Sequence, residues 1–176
     1  MPLLKNSVIV PDTWVHAGAE GAVTNAGNVI VSLNRLLGEW DALSARDGGL
    51  GVQLSNVDKP EALANALPRL SLIVLPFPAF NDGRAYSIAR KLREMGYRGE
   101  LRAAGNVLPD QLQLMLQVGF DAFDIGERFS LDTWQKASRQ MSLAYQRGLF
   151  RRDPEPEIWT ERHSGAEPWL EQPHAG

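Results

Sequence analysis

Residues 70–106 read LSLIVLPFPAFNDGRAYSIARKLREMGYRGELRAAGN, and residues 107–125 continue VLPDQLQLMLQVGFDAFDI. The apolar run Leu72-Ile73-Val74-Leu75 is short, rich in branched side chains and stopped by Pro76, as a strand buried on both faces would be. Asn81-Asp82-Gly83 makes a turn, after which Ala85, Ile88, Ala89, Leu92 and Met95 share one helical face. Gly96 and Gly99 end that helix. Glu100–Ala104 reads as the next strand, Asp110–Val118 as the next helix and Ala122–Ile125 as a further strand. This alternation predicts consecutive βαβ units, hence a parallel sheet with right-handed crossovers. Ligands of such sheets sit beyond the carboxyl ends of the strands. There the sequence places Asn81, Asp82, Arg84, Asn106 and Asp110.

Upstream, Leu50–Ser55 alternates and reads as the first parallel strand. Asn56-Val57-Asp58 leads into a predicted helix over Lys59–Leu67, with Asp58 as its N-cap and Pro60 in its first turn. Strands at 50–55, 71–77, 100–105 and 122–125 make about four βα units, too few for an eight-stranded barrel. The expected fold is therefore α/β, with a small open parallel sheet or a half-barrel-like curl. Before it, Val29-Ile30-Val31 is strand-like and runs into a helix from Ser32 carrying Leu33, Leu36, Leu37 and Trp40. Leu3–Val10 is expected to form a hairpin turning at Asn6-Ser7. The GAEGAV run at 18–23 lacks the glycine spacing of a dinucleotide loop and reads as a surface loop. Downstream, Ser130 caps a last helix over Leu131–Arg147, which Gly148 stops. Residues 1–152 thus form a single domain. Residues 153–176 are a Pro- and Glu-rich tail, flexible or surface-docked, whose Trp159 and Trp169 leave docking onto a second subunit open.

Composition removes several function classes. The 176 residues contain no cysteine, so there is no disulfide frame, thiol nucleophile, redox pair or thiolate ligand. A net charge of −3 with both signs interspersed makes no case for nucleic acid. No apolar run approaches the ~18 residues of a membrane span and no signal peptide is evident, which predicts a cytoplasmic protein. His16, His163 and His174 lie away from the polar turns in sequence, so neither a histidine base nor a histidine metal site is expected.

Each remaining candidate has two readings. Asp82 caps the helix that follows, or pairs with Arg84 at the surface. Gly83, Arg84 and the free N–H groups of the helix start otherwise make an anion cradle, to which Ser87 adds a hydroxyl one turn on. Arg102 lies inside a strand and needs a partner. That partner is Glu100 on the same face, or else an anion clamped jointly with Arg84. Asn106 is a turn residue able to hydrogen-bond a ligand. Asp110 follows Pro109 and is expected to cap its helix. Asp82 and Asp110 beside two arginines make a poor cation site, so no metal is expected.

The blocks FPAFNDGRAYSIARKLR, GELRAAGNVLPDQL and GFDAF, in that order, resemble a small bacterial family of unknown function. Its members are described as oxidoreductases of sulfite reduction, and their genes often neighbour that of the sulfite reductase haemoprotein subunit. The similarity is dense over Val52–Ile125, and LLKNSVIVPDTW resembles the family's opening. The matching positions are Asp82, Gly83, Arg84, Ser87, Arg102, Asn106 and Asp110. Many members carry Asp where this chain has Asn106, which argues against acid–base work there. The resemblance implies an accessory or scaffold protein of assimilatory sulfite reduction that binds a small oxyanion and meets the haemoprotein subunit. The alternative is an oxidoreductase-type enzyme or cofactor-binding protein using the same carboxyl-edge pocket. The residues themselves identify no cofactor.

Overall fold

The computed structural model describes residues 3–5, 8–18, 23, 25–126 and 128–139. Its strands are β1 (Leu3–Lys5), β2 (Val8–Val10), β3 (Trp14–His16), β4 (Asn28–Ser32), β5 (Leu50–Gln53), β6 (Leu72–Phe77), β7 (Glu100–Gly105) and β8 (Ala122–Asp124). All eight belong to one sheet in the order β2-β1-β8-β7-β6-β5-β4-β3. From β3 to β8 the neighbours are consecutive in sequence and parallel. Only β1 runs against its neighbours, β2 and β8. The expected parallel set β5–β8 and the N-terminal hairpin are present. The sheet is nevertheless twice the expected size, because β3 and β4 extend the parallel run and the hairpin closes onto β8.

Consecutive right-handed crossovers place every connection on one face of a sheet. The helices α1 (Leu33–Gly38), α2 (Trp40–Ser44), α3 (Arg84–Glu94), α4 (Leu112–Val118) and α5 (Leu131–Arg139) fit that rule. Their buried residues, including Leu36, Leu43, Leu92, Met115 and Trp134, pack in one core with Val31, Val52, Ile73, Leu75, Leu101 and Phe123. The alternate positions Ile30, Leu72 and Val74 point the other way and pack with Trp14. No described helix covers that face, yet Leu72 is 0% exposed.

Curling of the sheet resolves this. The outermost strands β2 and β3 are joined by Pro11, Asp12 and Thr13 alone, so Val10 and Trp14 lie at most ~14 Å apart. Laid flat, the outer strands of an eight-stranded sheet would be ~34 Å apart. The two edges therefore face each other, and the inner face fills its own hollow. Gly51 makes room there: a Cβ on it would lie 3.1 Å from the Trp14 ring and 3.3 Å from Leu72.

Three local expectations are corrected. The helix over Lys59–Leu67 is reduced to a tight helical turn, Pro60–Leu63, followed by further turns. Asp58 does not cap it; its Oδ2 accepts the Ser55 N–H at 2.7 Å and closes the turn after β5. Asp110 does not cap either, since it lies exposed inside the helical turn Pro109–Gln111, which has no side-chain cap. By contrast Ser32 ends β4 and caps α1 at once, accepting the Arg35 N–H at 3.3 Å, which explains the mixed signal at 29–37. The hairpin turn at Asn6-Ser7, the end of the last helix beyond Arg139, and the tail lie outside the described residues.

Candidate functional site

The turns that follow β5, β6 and β7 meet at the carboxyl edge of the sheet. Asn56 donates through Nδ2 to Asp82 Oδ2 at 2.8 Å, joining the first two turns. Asp82 Oδ1 also accepts the Arg84 backbone N–H at 3.2 Å and its Nε–H at 3.0 Å, while Oδ2 accepts from Nη2 at 2.7 Å. Asp82 thus serves the first turn of α3 and holds Arg84. The Arg84 and Asn56 donors hold its carboxyl well below the usual carboxylate range, and Asp82 pushes the Arg84 guanidinium up. Gly83 has nothing within 4 Å of where a Cβ would stand, so the space above it is open. Ser87 is exposed on α3.

The turn after β7 is fixed to the turn after β6. Gly105 adopts φ +99°, and the Asn106 N–H donates to Phe77 O at 2.8 Å. Asn106 Nδ2 reaches Pro78 O at 2.7 Å, and Gln111 Nε2 reaches Phe80 O at 2.7 Å. Asp110 stays exposed. Burial, helped by the Asp110 charge, pushes the Tyr86 phenol up.

Arg102 belongs elsewhere. It is 3% exposed on the inner face. Nε and Nη2 donate to Glu100 Oε1 at 3.2 and 3.0 Å, and Nη1 donates to Asp12 Oδ2 at 2.8 Å. Lys5 reaches the other Glu100 oxygen at 2.8 Å. Of the two readings of Arg102, the Glu100 pair is therefore formed, and the joint clamp with Arg84 is not. Asp12, on the connection between the sheet edges, completes a latch across the hollow.

The curl brings together residues that are distant in sequence. His16, Ser32, Asn34, Gln53, Ser55 and Asp58 line a cleft of ≈ 370 Å³ where β3, β4 and β5 end. Asp124, at the end of β8, senses Arg102, Asp12 and His16 together, and its carboxyl is pushed up mainly by burial. Distance along the sequence argues against His16, yet β3 carries it to the same end of the sheet as the turn after β5. A second cleft, of ≈ 330 Å³, opens where β7 and β8 end, between Asn106, Val107, Leu108, Arg128, Phe129 and Trp134.

Four buried side-chain polar atoms follow the carboxyl ends of successive strands and have no hydrogen-bond partner among the described residues. They are Asn56 Oδ1, Tyr86 Oη, Gln111 Oε1 and Trp134 Nε1. Buried polar groups are ordinarily satisfied, so such atoms mark places where water or a ligand belongs. Among the described residues no group of three or more His, Asp or Glu is placed to hold a metal ion, and no helix is long and apolar enough to cross a membrane.

Residues 51–156 match the model of a family described as bacterial proteins of unknown function (DUF934), and the chain belongs to that family. No curated protein and no solved structure matches the chain.

Proposed function

We propose that this family member is an accessory protein of assimilatory sulfite reduction, which holds a small oxyanion at the carboxyl edge of its sheet and serves the sulfite reductase haemoprotein subunit. The observation that carries the reading is the row of unpartnered buried polar atoms along that edge, which includes two donors, the Tyr86 hydroxyl and the Trp134 indole N–H. The guanidinium groups of Arg84 and Arg128 lie on the exposed side of the same edge. Charge-assisted contacts with an oxyanion contribute about 1.5–3 kcal/mol each before desolvation, so millimolar affinity is in keeping with two or three of them. The tie to sulfite rests on the resemblance of the 77–123 blocks.

The test is direct. Purified protein added to the haemoprotein subunit should raise turnover or lower the KM for sulfite, and sulfite should raise the melting temperature of the protein alone. Unchanged reductase kinetics together with an unchanged melt would contradict the proposal.

One observation favours an enzyme instead. Asp124, with its carboxyl raised by burial, and His16 face the same hollow beside the ≈ 370 Å³ cleft, which is suitable equipment for proton transfer. Loss of a cellular activity in both Asp124→Asn and His16→Gln, with folding intact, would support that reading over the accessory one.

A further inference from the structure

We propose that the ≈ 330 Å³ cleft at the ends of β7 and β8 is an oxyanion site, with the Trp134 indole N–H and the Arg128 guanidinium as its donors. The inference rests on the accessory reading above and gives its oxyanion a place.

Three observations converge on this cleft. Trp134 lines it, is 1% exposed, and carries an Nε1–H that no described residue accepts. An indole N–H has only donor character, so its missing partner is an acceptor. Arg128 stands exposed at the rim, stacked over Phe129 with its Cζ 5.3 Å from the ring centroid, and forms no ion pair among the described residues. It contrasts with Arg84, which is already held by the Asp82 carboxylate. An anion approaching Arg84 meets that carboxylate as well; one approaching Arg128 meets no described acidic side chain lining the cleft.

The walls add selectivity. Phe129 and Trp134 pack edge to face with centroids 6.5 Å apart, and Val107 and Leu108, on the turn after β7, also line the cleft. Asn106 is tied back to Pro78 O through Nδ2, which leaves its Oδ1 as the acceptor end of that amide. A cleft of ≈ 330 Å³ is at the small end of ligand pockets and larger than a bare sulfite ion requires. The ligand is accordingly an oxyanion head, sulfonate or carboxylate in kind, carried on a small apolar body.

The test titrates ¹⁵N-labelled full-length protein with sodium sulfite and with benzenesulfonate, following the indole N–H resonances; the Trp134 signal is the one missing from Trp134→Phe. Both anions should shift that signal, benzenesulfonate at about tenfold lower concentration because its ring meets Phe129 and Val107. Arg128→Gln, an exposed change that leaves the core intact, should weaken both at least tenfold, whereas Arg84→Gln should not. Binding lost in Arg84→Gln and retained in Arg128→Gln would overturn this site and leave the accessory reading standing with its anion at α3. Binding of neither anion to the wild-type protein would overturn both.

Discussion

At the amino ends of the strands, arginines are engaged by backbone carbonyls. Arg69 donates to the carbonyls of Ser44, Arg46 and Gly48 at 3.0, 2.6 and 3.0 Å. Arg93, 5% exposed in its side chain, donates to Gly119 O, Tyr97 O and Gly99 O and pairs with Asp121 at 2.6 Å. Asp121 in turn accepts the Leu101 N–H at 3.1 Å, so one guanidinium ties α3, α4 and the starts of β7 and β8 together. At the carboxyl ends lie two open clefts and four of the five buried side-chain polar atoms without a hydrogen-bond partner among the described residues; the fifth, Arg46 Nε, is at the amino ends, on a guanidinium that already donates to Gly27 O at 2.9 Å. The difference teaches that both edges are tied by hydrogen bonds, while most of the capacity the fold leaves over gathers at the carboxyl edge, where the proposed anion site lies.

The largest effect should come from the amino edge. Arg93→Met removes the guanidinium shared by the Asp121 carboxylate and three carbonyls, and should destabilise by about 3–5 kcal/mol in denaturant melts. A loss below about 1 kcal/mol would show that the carbonyls find water and that the two edges are less different than their contacts suggest.

Next comes a position where the carboxyl edge is closely packed. Gly105→Ala places a Cβ at φ +99° and 2.7 Å from Phe77 O, and should cost about 1–3 kcal/mol. It should also displace the Asn106 turn and so weaken any ligand in the adjoining cleft, a pairing of effects that Arg93→Met should not show.

Tyr86→Phe should run in the opposite direction. Deleting a buried hydroxyl that has no partner among the described residues should leave stability unchanged or raise it by up to about 1 kcal/mol. A clear loss of stability would mean that the hydroxyl is satisfied in solution.

Smallest is Asp82→Asn. The Asp82 pKa is depressed in the folded state, so its contribution is fully present above the ordinary carboxylate pKa near ~4 and is lost as pH falls below it. The variant should melt slightly below the wild type at neutral pH, with the gap closing on acidification. Asp124→Asn should show the reverse sign. The Asp124 pKa is raised, so its ionisation weakens the fold as pH rises, and the variant should gain relative to wild type toward neutral pH.

How much of this was legible in the sequence follows from period and separation. The βα units from Leu50 to Asp124 declared themselves because their strands are four apolar residues or so bounded by turn residues, and α3 shows its face through Ala85, Ile88, Ala89 and Leu92. The Asp82–Arg84 and Glu100–Arg102 pairs were readable because their members are two residues apart. Asp12 and Arg102, 90 residues apart, were not, and neither was the closing of the sheet that joins them. Three-residue strands such as Trp14–His16 are too short to show alternation, so β3 and the place of His16 became visible only in the curl. Arg128 and Trp134 went unnoticed as site residues for a different reason: Trp134 fits the apolar stripe of its helix, and nothing in a stripe tells that an indole N–H will lack a partner.

Amide chemical-shift mapping of the full-length protein with sulfite or benzenesulfonate tests the division of labour between the edges most directly. The account predicts perturbations confined to the turns at 54–58, 78–87, 105–112 and 126–134, with the amino-edge segments 44–49, 69–71, 97–100 and 119–121 unmoved. Perturbations centred on the amino-edge segments, or none anywhere at millimolar anion, would contradict it.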